Sequence, residues 1–87
     1  MYKVEVELKN ETGLHARPAS VFVKEASGYS SEIFVIKDEK TYNGKSIMGI
    51  LSMGAGKGDK IILQADGEDE KEAVEALKSL IENNFGE

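Results

Sequence analysis

The chain of 87 residues contains no cysteine. Disulfides and thiolate metal sites are therefore excluded, and a reducing compartment, the cytoplasm, is the expected location. There is no tryptophan, and only one proline and one histidine. A single imidazole among scattered carboxylates makes neither a metal site nor a bound cofactor expected. Nowhere does the chain approach the roughly 18 consecutive apolar residues of a membrane-spanning helix. The opening "MYKVEVELKN" alternates charged with apolar residues, where an export signal would place a basic stretch before an apolar block. A soluble, unexported protein is expected. Eleven basic residues stand against 16 acidic ones, for a formal net charge of -5. Nucleic-acid phosphates and anionic membrane surfaces would both repel such a chain, so neither is an expected partner. This length suits a single domain over residues 1–87, with a core that buries about 60% of the unfolded chain's surface. A monomer is expected.

Periodicity supplies the elements. "YKVEVEL" puts Tyr2, Val4, Val6 and Leu8 on one face and Lys3, Glu5 and Glu7 on the other, the pattern of a strand buried on one side. After the turn residues "NETG", the spacing of Ala19, Phe22, Val23 and Ala26 predicts a helix from about Ala16 to Ser27, with Gly28 at its C-terminal end. Pro18 is tolerated only near a helix start, which places His15 at or beside the N-cap. "EIFVIK" and "KTYN" read as a hairpin over about residues 32–43, turning at Asp38 and Glu39. Ser46 then caps a short helix that carries Ile47, Met48, Ile50, Leu51 and Met53 and stops at Gly54. Gly49 weakens that helix by about 1 kcal/mol relative to alanine, so packing must hold it. "KIILQA" is a strand with Ile61, Leu63 and Ala65 on one face. Asp69 and Glu72 are spaced as a capping pair for a last helix, whose stripe is Ala73, Val74, Leu77, Leu80 and Ile81. The order β-α-β-β-α-β-α, with short amphipathic strands, predicts an α+β two-layer open-faced sandwich. Its four-stranded antiparallel sheet would carry all three helices on one face.

Three stretches invite a chemical reading. In "GLHARPA", His15 precedes a helix whose first-turn N–H groups lack intrahelical partners and carry partial positive charge, a setting that favours an anion such as a phosphoryl group. Arg17 can add a planar fork of donors to the phosphoryl oxygens, and Pro18 stiffens the turn that sets the relative positions of these groups. No second base or metal-binding carboxylate pair accompanies them, so these residues suit a histidine that accepts and gives up a phosphoryl group rather than an enzyme with its own turnover. In "NGKSIMGILSMG", the "GKS" of residues 44–46 is no nucleotide-binding loop, because Glu39 stands where its first glycine belongs. Ser46 at a helix N-terminus, with Lys45 before it, is a place where an added phosphate would be stabilised. Ile47, Met48 and Leu51 exceed what one short helix can bury and are expected to form a docking patch. The glycines of "GAGKGD" read as turn structure.

"GLHARPA", followed about thirty residues later by "KSIMGILSMG", resembles the HPr family of histidine-containing phosphocarriers of the phosphoenolpyruvate-dependent sugar phosphotransferase system. The "KSIMG" form is similar to that of low-GC Gram-positive bacteria. The likeness covers essentially the whole chain and implies the same open-faced sandwich. It implies that His15 takes a phosphoryl group on Nδ1 from enzyme I and passes it to the enzyme IIA components of sugar permeases, with Arg17 as the partner of that phosphate, the Ala16 and Arg17 amides at the helix start, and Ala16, Arg17 and Pro18 as the phosphate-binding positions. It further implies that Ser46 is phosphorylated by HPr kinase/phosphorylase, and that the phosphoserine form binds a catabolite-control transcription regulator. Ser20 and Lys24, on the helix after His15, join Ile47, Met48 and Leu51 as partner-binding positions. A sister branch keeps the serine and lacks the histidine, so His15 argues against that regulation-only branch. One departure is Gly44, where relatives usually carry a residue with a side chain before the Lys-Ser pair; it is expected to loosen the loop that positions Ser46.

Overall fold

The structure, a computed structural model, describes residues 1–86. Its elements run β1 (Tyr2–Glu7), α1 (Ala16–Ala26), β2 (Glu32–Lys37), β3 (Lys40–Asn43), α2 (Ile47–Ser52), β4 (Lys60–Asp66) and α3 (Glu70–Glu82), followed by a 3-10 turn at Asn84–Gly86. The four strands form one antiparallel sheet in the order β1-β4-β2-β3. Alternation decides which side chains face the helices. Val6, Ile33, Val35, Ile61, Leu63 and Ala65 are buried, and they join Ala19, Phe22 and Ala26 of α1, Ile50 of α2, and Ala73, Val74, Leu77 and Ile81 of α3 in one cluster. Each large apolar side chain fully withdrawn from water adds about 1.5–3 kcal/mol before the entropy of ordering it is counted. The opposite face carries Lys3, Glu5 and Glu7 on β1 and half-buried Phe34, Ile36, Ile62 and Gln64 in the middle, with no helix over it among the described residues. The predicted open-faced sandwich is therefore the observed architecture.

Some local expectations need correction. Asp69 does occupy the N-cap position of α3, but its side chain makes no capping bond. Its carboxylate instead accepts from the backbone N–H groups of Ser30 and Ser31, both at 2.9 Å, and from the Ser31 hydroxyl. Three donors outcompete one cap, and the Ser31 hydroxyl, then the Ser30 N–H, hold the Asp69 carboxyl down at about 2. Glu72 is accordingly no capping partner; Glu70 reaches back instead, accepting from the Gly67 N–H at 3.2 Å. Gly44 does not loosen its loop. It is buried, its N–H donates to the Ile33 carbonyl at 2.7 Å, and a Cβ there would lie 2.5 Å from Ile33 Cγ2. Glycine at this position allows the loop to pack directly onto β2.

Candidate functional site

The loop that carries His15 is stitched to a distant turn by backbone bonds. The Leu8 N–H donates to the Asp59 carbonyl at 2.9 Å, and the Gly58 N–H returns a bond to the Leu8 carbonyl at 2.7 Å. Residues 10–13 close on themselves: the Gly13 N–H donates to the Asn10 carbonyl at 3.2 Å, and Asn10 Nδ2 donates to the Gly13 carbonyl at 2.8 Å. Gly13 has a φ of +59°, and a methyl group on it would stand 2.5 Å from both the Ala55 oxygen and Gly56 Cα. Only glycine satisfies both the conformation and the approach. Leu14 is buried and its N–H donates to the Ala55 carbonyl at 3.0 Å. "GAGKGD" is thus structural, as its composition suggested, with the added task of supporting the histidine loop.

His15 emerges from this support exposed. It is the N-cap of α1, in extended backbone (φ -86°, ψ -172°), and its side chain makes no capping bond. Its carbonyl accepts from the Ala19 N–H at 2.8 Å, the first rung of the helix. Ala16 and Arg17 are exposed in the first turn. Pro18 is buried and, having no N–H, contributes shape and not a donor. The structure therefore brings an exposed imidazole to a helix N-terminus with the first-turn residues Ala16 and Arg17 beside it, an arrangement suited to a transferable anion. Among the described residues there is no group of three or more His, Cys, Asp or Glu side chains placed to hold a metal ion. A shallow groove of about 540 Å³ lined by Val21, Lys24, Glu25, Gly28 and Tyr29 lies at the other end of α1. It is roughly 15 Å along the helix from His15 and plays no part in this site.

Ser46 is the N-cap of α2, and its hydroxyl accepts from the Gly49 N–H at 3.1 Å. The Lys45 ammonium does not attend it; Lys45 Nζ donates to the Tyr29 carbonyl beyond the end of α1 at 2.7 Å. The apolar excess of α2 divides as expected: Ile50 is 0% exposed, while Ile47 and Leu51 are each 37% and Met48 72% exposed. α1 packs against α2. On α1, Ser20 and Lys24 are both exposed and, four residues apart, share a face. Sequence reasoning missed Asn10, whose buried amide shapes the histidine loop. Its only signal was a turn-forming residue three positions before a glycine.

Known proteins share this pattern. A family model described as "PTS HPr component phosphorylation site" matches residues 2–83. The HPr-like protein Crh of Halalkalibacterium halodurans is 52% identical over 82 residues, covering 94% of this chain and 98% of its own. The phosphocarrier protein HPr of Neisseria meningitidis serogroup A is 47% identical over 87 residues, covering 100% and 98%. A crystal structure of HPr from Thermoanaerobacter tengcongensis superimposes with a TM-score of 0.97 at 56% identity, covering 100% of this chain and 98% of that one. With the fold, the histidine-bearing helix start and the family match in agreement, this chain belongs to the HPr family of phosphotransferase-system phosphocarriers.

Proposed function

We propose that this chain carries phosphoryl groups in the cytoplasm as a single-chain, single-domain protein (residues 1–87) without turnover of its own. Nδ1 of His15 attacks the phosphorus held by phosphorylated enzyme I. The P–N bond forms as the bond from phosphorus to the donor breaks, and transfer to an enzyme IIA reverses these events at the acceptor. The first-turn amides of Ala16 and Arg17 and the Arg17 guanidinium stabilise the charge on the phosphoryl oxygens. The observation that carries this reading is the exposed His15 at an extended N-cap, with no cap bond occupying its ring. The test is incubation with enzyme I and phosphoenolpyruvate. One acid-labile phosphorylation, absent in His15→Ala, is expected; labelling that survives the substitution would refute the carrier role.

Ser46 is proposed as a regulatory phosphorylation site for HPr kinase/phosphorylase, its phosphoserine form engaging a catabolite-control transcription regulator. Ile47, Met48 and Leu51, with Ser20 and Lys24, are proposed to dock the partners. The 52% identity to an HPr-like protein Crh favours a second reading, a binding module that acts through Ser46 alone. That reading predicts phosphorylation by the serine kinase and no transfer to any enzyme IIA.

A further inference from the structure

Asn10 is a polar side chain only 5% exposed. Its amide nitrogen donates to the Gly13 carbonyl at 2.8 Å and lies 3.4 Å from the Thr12 hydroxyl, while its amide oxygen is buried without a hydrogen-bond partner. The nitrogen must face Gly13, because a carbonyl can only accept. A buried amide with one end idle is a poor device for stability, since the idle oxygen has lost its water without replacement. A leucine, branched in the same way, would avoid that loss, at the expense of the Gly13 carbonyl's donor. What the amide supplies is geometry. It closes the turn over residues 10–13 from one side, while the Ala55 carbonyl grips the Leu14 N–H at 3.0 Å and crowds Gly13 from the other. The far jaw is itself braced: the Asp59 carboxylate accepts from the Gly56 N–H at 2.8 Å, and the Asp59 N–H donates to the Gly56 carbonyl at 3.0 Å. The two jaws together hold the backbone of Gly13 and Leu14, the two residues that lead into His15.

We infer that Asn10 is a positioning residue for His15, holding the phosphoryl-accepting ring at the helix start through the Gly13 and Leu14 backbone. The inference rests on the carrier reading and adds to it a residue that never touches phosphate. A reacting atom displaced by an ångström loses much of its rate without loss of binding. Removing Asn10 therefore slows the chemical step and leaves partner docking on α2 intact.

The experiment compares phosphoryl transfer from phosphorylated enzyme I to the wild-type chain, Asn10→Leu, Asn10→Ala and Ile81→Val, with thermal midpoints recorded for each. Ile81 is a core residue of α3 and controls for general loosening. The expected result is a fall in maximal rate of about fivefold to tenfold in both Asn10 variants, the factor that loss of one such bond carries. KM should be unchanged, both Asn10 variants should still melt cooperatively, and Ile81→Val should transfer at the wild-type rate. Wild-type rates in both Asn10 variants would overturn the inference, and so would equal slowing in Ile81→Val. A wild-type chain that accepts no phosphoryl group would remove the carrier reading and the inference together, an outcome distinct from either.

Discussion

Asp38 and Glu39 join β2 to β3 with positive φ at both positions, 51° and 68°. That is the two-residue turn whose twist suits a hairpin, and it ordinarily recruits asparagine and glycine. A left-handed residue with a side chain is disfavoured by about 1–2 kcal/mol, part of which glycine would give back through its freer unfolded state. Glu39→Gly should therefore raise stability by about 0.5–1 kcal/mol, read as a higher urea midpoint at unchanged slope. The hairpin itself was legible from "EIFVIK" and "KTYN", whereas its turn type was not, because Asp38 tolerates a left-handed backbone but Glu39 does not announce one. Gly44 shows the complementary case. A glycine in a sequence signals freedom, yet here it marks contact with Ile33, and only the third dimension distinguishes the two.

Among the elements, β1, β4 and α3 could be read directly, since Val6, Ile61, Leu63, Ala73, Val74, Leu77 and Ile81 recur at the periods of a one-sided strand or helix and are all buried. The 3-10 turn after α3 could not: it plugs Phe85 into the core at a φ of 58°, and a single apolar residue has no period. Asp69 misled for a related reason. Its spacing fits a cap, but its oxygens are claimed by Ser30 and Ser31, which lie 39 and 38 residues away in the chain. In the candidate site, His15, its helix start and the apolar excess of α2 were visible because their residue types are rare or out of place. The supports of the histidine loop were invisible because they are backbone groups. For α2 the expected behaviour follows from exposure. Met48→Asp should leave the thermal midpoint unchanged while slowing transfer from enzyme I by about tenfold, as loss of a central docking residue does. Ser46→Asp keeps a good N-cap but adds charge beside the same patch, and should slow transfer likewise. Rates equal to wild type in both variants would remove α2 from the docking surface.

For the molecule as a whole, Asp69 joins the two halves of the chain, tying the connection between α1 and β2 to the start of α3. Its carboxyl lies at about 2 in the folded protein against an ordinary 3.8, so the unfolded chain takes up the proton first as pH falls. The stabilisation from this group is fully present above about pH 4 and is lost as pH falls through 2. Thermal midpoints should accordingly decline across that window, and Asp69→Asn should melt lower at pH 7 while showing a shallower acid decline. An unaltered acid profile in Asp69→Asn would show that other carboxylates control it.

The uncovered face of the sheet has a practical use. Thr41 is exposed on it, paired with Ile36 across β2 and β3, and the chain has no thiol of its own. Thr41→Cys would place a unique attachment point on the side that carries no helix. Through it the protein could be dyed or anchored to a bead with His15, Ser46 and α2 all left open to solution, and successive rounds of phosphoryl loading and unloading could be followed on one immobilised population.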